Sequence, residues 1–89
     1  MRSTKKSIEE FAEAYELDIL FADGFDECII GLGQCFDKYQ VIYDRDKVIK
    51  CLMKSMSEDE AEDYFQYNIV GSYVGEATPI FTVSLGEDL

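Results

Sequence analysis

Apolar residues recur along this chain at two spacings, and the spacings divide it into helices and strands. Ile8, Phe11, Ala12 and Tyr15 follow i, i+3, i+4, i+7, which predicts an amphipathic helix over residues 7–16. Ser7 and Glu10 have capping-box spacing, and Glu9, Glu10, Glu13 and Glu16 fall on the opposite side. Residues 17–22 are apolar and short enough for an extra strand. Asp23, Gly24, Phe25 and Asp26 then spell a turn. Residues 27–32 read as a strand centred on Cys28, Ile29 and Ile30, where Gly31 and Gly33 predict a bulge or a close backbone approach. Residues 39–43 form the clearest strand, rich in β-branched and aromatic side chains, and the link between the two is short enough for a hairpin.

The period then returns to 3.6. Asp44 is an N-cap for a helix over residues 45–56, whose buried face is Val48, Ile49, Leu52, Met53 and Met56. Ser57 and Glu60 form a second capping box. Ala61, Tyr64, Phe65, Asn68 and Ile69 continue at helical spacing until Gly71. Pro79, lacking an amide donor, should start a last strand over residues 79–84 or lie on an edge. The expected fold is α+β: three helices and a small, mostly antiparallel sheet of three to four strands, in the order α-(β)-β-β-α-α-β. Residues 1–89 read as a single small domain.

Charge changes the picture from fold to partner. Asp and Glu number 19 against 8 Lys and Arg, there is no His, and the formal net charge is −11. This balance repels nucleic acid and anionic membrane and favours basic protein surfaces. A hydrophobic fraction of 47% is too high for a disordered acidic tail. The charges also segregate. Glu58, Asp59, Glu62 and Asp63 sit on the third helix, whereas Arg45, Lys47, Lys50 and Lys54, half of all the Lys and Arg, lie on the second. An acidic helix face serves solubility and the helix dipole. It also serves as a docking face, and Tyr67, placed opposite Ala61 and Phe65 on the wheel, should stand exposed beside it. The basic stripe is expected to neutralise neighbouring acids in the same chain or across a homodimer.

Most catalytic chemistries lack their residues. Without His there is no Ser-His-Asp triad and no His-ligated zinc. Cys28, Cys35 and Cys51 are odd in number and lack C-x-x-C spacing, so they read as buried, reduced thiols of a cytoplasmic protein. No G-x-x-x-x-G-K-[ST] occurs, and Gly31-Leu32-Gly33 lacks the third glycine of a dinucleotide fingerprint. No cofactor is expected. Asp44 and Asp46 read as a cap and a dipole partner. Asp23 and Asp26 offer oxygen ligands, but the EF-hand pattern is absent and no metal is assigned. A ligand pocket, if the chain has one, would gather Asp23, Asp26, Tyr43, Tyr73 and Glu76 around the glycine-containing segment 68–79, which otherwise serves only to join helix to strand. The basic start is not followed by an apolar h-region, and no run of apolar residues is long enough for a membrane span.

The combination of Asp23-Gly24-Phe25-Asp26, Tyr43-Asp44 and residues 68–81 resembles a widespread, uncharacterised family of small acidic proteins encoded by bacteriophages and prophages. The resemblance spans roughly residues 22–81, and the Lys-containing start and acidic first helix look like additions particular to this chain. It implies an accessory protein acting in the cytoplasm of a bacterial host, and it attaches no catalytic residue. The resulting expectation is a non-enzymatic protein that binds a basic surface on a host or phage protein through Glu58, Asp59, Glu62, Asp63 and Tyr67. One alternative is a DNA mimic inhibiting a host defence nuclease, of antirestriction or anti-CRISPR type, since duplex DNA presents one charge per ~1.7 Å of axis. Another is a small-ligand or metal-binding domain, or minor hydrolase, using Asp23, Asp26 and Glu76.

Overall fold

The computed structural model describes residues 4–22, 24–72 and 78–83. Helix α1 (Thr4–Ala14) begins a turn earlier than its capping box suggested, so Ser7 lies inside the helix rather than at its start. Lys5 fastens this first turn: its Nζ lies 3.4 Å from an Asp26 carboxylate oxygen and 5.1 Å from the centroid of the Phe21 ring. The other end closes as a Schellman motif. Leu17 N–H reaches Ala12 O at 2.8 Å and Glu16 N–H reaches Glu13 O at 3.3 Å, with Glu16 at φ 54° in the position glycine usually takes.

Residues 17–22 alternate outward and inward as a strand would. Ile19 and Phe21 pack against the core while Asp18 and Leu20 face solvent. The segment nevertheless joins no ladder, which corrects the expected extra strand. Its anchor is a side chain: Ala22 N–H donates to Tyr43 Oη at 2.7 Å. Gly24 turns the chain at φ 90°, and a 3₁₀ turn (Asp26–Cys28) takes up the residues expected to open the next strand.

The sheet, among the described residues, has three strands in the order β1-β2-β3. Strand β1 (Ile29–Cys35) pairs antiparallel with β2 (Lys38–Tyr43), with a register shift between Ile29 and Gly31 that realises the expected bulge. Gly33 permits a close approach, since a Cβ there would lie 3.0 Å from Ile42 Cδ1 and that side chain would have to shift. Strand β3 (Ile80–Phe81) runs parallel to β2, pairing Ile42 with Ile80 and Tyr43 with Phe81. Parallel pairing follows from a helical crossover between two strands, and Pro79 immediately precedes this edge strand.

Helix α2 (Arg45–Leu52) is capped by Asp44, whose Oδ1 accepts the amides of Asp46 at 3.0 Å and Lys47 at 3.3 Å. It stops short of residue 56. Lys54 N–H bonds Cys51 O and Ser55 N–H bonds Leu52 O, tightening the chain into a turn before Ser57 restarts it. Helix α3 (Glu58–Tyr64) then continues as a π-helix (Phe65–Ile69) and a short 3₁₀ turn (Val70–Ser72). Gly71 sits in that final turn.

The core gathers where these elements meet. Val41, Tyr43, Val48, Ala61, Phe65 and Ile69 are buried. Tyr43 stacks on Phe81 at 5.5 Å between ring centroids, and Phe81 meets Phe65 edge-on at 5.1 Å. At the other end of the same sheet face, Phe11 of α1 lies 5.7 Å from the Tyr39 ring. No helix of the described residues is long and apolar enough to cross a membrane.

The three thiols are free and occupy three environments. Cys28 is buried, Cys51 is half-buried, and Cys35 is exposed at the hairpin end, which corrects the expectation that all three are core residues. The sulfurs of Cys28 and Cys51 lie 3.8 Å apart. Burial first, then the hydrogen bond to Cys51, pushes the Cys28 thiol up to about 12. It is therefore a protonated core atom rather than a nucleophile.

Candidate acidic groove

The third helix carries the candidate site, and its start is fixed locally. Ser57 Oγ accepts the Glu60 amide at 3.2 Å while Glu60 Oε1 accepts the Ser57 amide at 3.1 Å. These bonds hold the Glu60 carboxyl below its ordinary range. With Ala61 and Phe65 buried, the carboxylates distribute over two flanks and an outer rim.

On one flank, Glu58 and Glu62 face α2. They line a groove with Arg45, Asp46, Ile49, Lys50 and Met53. Arg45 Nη2 lies 3.5 Å from Glu62 Oε1, and its guanidinium sits 5.3 Å from the Phe65 ring centroid. The basic helix thus meets acids of its own chain. On the other flank, Glu60, Asp63, Tyr64, Tyr67 and Asn68 line an open groove of about 500 Å³ with Ser55 and Met56, and among the described residues no Lys or Arg lines it. Tyr67 is 77% exposed and Tyr64 44%. Asp59 is exposed on the rim between the flanks.

The π-helix extends the second flank beyond α3. A π turn advances less per residue than an α turn. From Phe65 onward this keeps Ile69 beneath Phe65 in the core and swings Asn68 outward, in line with Tyr64. An uninterrupted α-helix would point Asn68 inward. For that reason Asn68, read from sequence as part of the apolar stripe, stands on the surface, while Tyr64, the last residue of the regular α-helix, lies at the edge of that stripe and is partly exposed. Their types gave a partial signal: Asn is a poor core residue, and Tyr carries a polar end.

Of the five residues expected to contact a partner, the structure brings Asp63 and Tyr67 together, places Glu58 and Glu62 opposite cations, and leaves Asp59 on the rim. Glu60, Tyr64 and Asn68 join the site. No family model matches the chain, and no curated protein and no solved structure matches it.

The ligand-pocket residues fare differently. Tyr43 is fully buried, its hydroxyl accepting the Ala22 amide, so it is a core residue rather than a pocket wall. Asp26 is exposed and pairs with Lys5. Asp23, Tyr73 and Glu76 lie outside the described residues. Among the described residues no group of three or more Cys, Asp or Glu is placed to hold a metal ion.

Proposed function

We propose that this chain is a non-enzymatic binding module, a phage-type accessory protein that docks a Lys- or Arg-bearing surface of a host or phage protein in the groove between residue 56 and α3. The observation that carries the reading is the coincidence of two carboxylates and two exposed tyrosine rings around one groove that no cation lines among the described residues. Carboxylates at Glu60 and Asp63 steer and hold a cationic side chain. The faces of Tyr64 and Tyr67 supply rigid contact area and cation–π attraction. A net charge of −11 raises the encounter rate with basic proteins over long range. Cations at Arg45 and Lys50 interrupt the acidic surface beside Glu58 and Glu62, which favours local docking over an unbroken DNA-like row of charge.

The test is capture from a bacterial lysate at low and high salt, followed by affinity measurement on the captured protein. Asp63→Lys and Tyr67→Ala should each lose the partner with unchanged circular dichroism, and wild-type affinity should fall steeply with salt. Affinity that is flat in salt, or indifferent to both substitutions, would refute the reading. Duplex DNA that displaces the partner would transfer support to mimicry.

A further inference from the structure

The hairpin joining β1 and β2 turns at an unusual residue. Cys35 pairs with Lys38, so Phe36 and Asp37 form a two-residue loop. Phe36 has φ 55° and Asp37 does not share the positive sign, the type II′ signature that normally takes glycine first. A bulky side chain in the left-handed region is strained. Phe36 is also 92% exposed, so intramolecular packing does not repay that strain. The turn is held nonetheless: Gln34 Nε2 donates to Phe36 O at 2.9 Å.

Gln34 connects this knob to a hole. Its side chain lines a groove of about 370 Å³ with Thr4, Ser7, Ile8, Phe11, Leu32 and Tyr39. The groove lies between α1 and the hairpin, and among the described residues no charged one lines it, although 30% of the chain is charged. Two molecules of net charge −11 repel one another at carboxylate-bearing faces. They can meet at a groove that carries no carboxylate among its described lining residues, with Asp37 and Lys38 of opposite sign flanking the knob. A knob beside a matching hole is self-complementary across a two-fold axis.

We propose that this chain forms an isologous dimer in which Phe36 of each copy enters the α1–hairpin groove of the other, against Phe11 and Tyr39. A buried Phe removes ~150–250 Å² from water, and the walls that receive it lose about as much again. Two insertions therefore supply a large share of the ~1,200 Å² at the lower limit of specific interfaces, so the dimer is a weak, reversible one. The acidic groove of α3 is not involved, and the salt dependences are opposite. Salt weakens docking of a basic partner but screens repulsion between two acidic copies, so it strengthens the dimer.

The experiment is sedimentation equilibrium of the full chain at ~50 and ~500 mM NaCl, with Phe36→Gly and Ser7→Glu as variants. Ser7 is exposed on the α1 wall, so a charge there enters the groove without entering the core. The expected result is a reversible dimer that tightens with salt and weakens by ~100-fold or more in each variant. Phe36→Gly, freed of the left-handed strain, should also melt at a higher temperature than wild type under dilute, monomeric conditions. A wild-type chain that stays monomeric to ~1 mM overturns the proposal. So does a dimer that survives Phe36→Gly, and so does one that Phe36→Gly breaks while Ser7→Glu leaves it intact, since the ring would then seat elsewhere.

Discussion

The two flanks of α3 carry similar numbers of carboxylates and offer a partner different things. Toward α2, Glu62 is held by Arg45, and Lys50 lines the same groove as Glu58. Toward residue 56, Glu60 and Asp63 stand beside Tyr64 and Tyr67 with no cation lining the groove among the described residues. Acidic composition is therefore a poor measure of available negative potential. What counts is which carboxylates the fold sets against cations of its own, because a neighbouring opposite charge cancels the field that steers a partner.

The largest effect comes from removing what both flanks stand on. Phe65 is buried under Arg45 and edge-on to Phe81. Phe65→Ala should cost ~3–5 kcal/mol, comparable to the ~5 kcal/mol total stability of a small domain. Urea titration should find both flanks lost together. A loss below ~1 kcal/mol would mean that the core does not hinge on this ring.

Charge reversal separates the flanks. Asp63→Lys should weaken a captured partner by ~10–100-fold, and Glu62→Lys by less than ~3-fold, since Glu62 is already paired. Stability should barely register Glu62→Lys, because the Arg45 pair is exposed enough for solvent to leave it ~0–1 kcal/mol. Equal effects on binding would erase the distinction between the two sides.

Smaller effects distinguish the flanks by pH. Ser57→Ala removes the capping box at the foot of the acidic groove and should cost ~1 kcal/mol. The depressed Glu60 carboxyl contributes stability that is present above its ordinary range and lost as acid protonates it. In Ser57→Ala that acid dependence should shrink, as read by thermal melts across the carboxylate range. The α2 side has the opposite sensitivity, because Cys28 packs against Cys51 of that helix. Its raised thiol contributes stability that is fully present below the ordinary value of 9.0 and is lost as pH rises toward about 12. Cys28→Ala should flatten the alkaline limb, and an unchanged limb would assign it to another group.

Much of the fold was legible because it depends on neighbours in sequence. Asp44 and Ser57 cap helices through amides two or three residues away. The bulge before Gly31 and the 39–43 strand follow from residue types whose preferences are local. Residues 17–22 show the limit of such reading. Their alternation is that of a strand, yet sheet membership depends on lying alongside a ladder edge, and the Ala22 amide bonds a tyrosine hydroxyl instead. The site was legible to a similar depth. Asp63 and Tyr67 could be read from an α-helical wheel, whereas Asn68 could not, since the wheel assumes the regular turn that the π-helix breaks. Tyr64 sits at the edge of the apolar stripe, where the wheel does not decide between core and surface.

The sequence by itself determined the starts of α2 and α3, the α+β order and the negative excess, because capping, periodicity and net charge are set over a few residues or by simple composition. Only the tertiary structure decided which carboxylates are paired with Arg45, which face open solvent beside tyrosines, and that Tyr43 belongs to the core. Those outcomes depend on distances between residues remote in sequence, and the packing of α2, α3 and the sheet fixes them together.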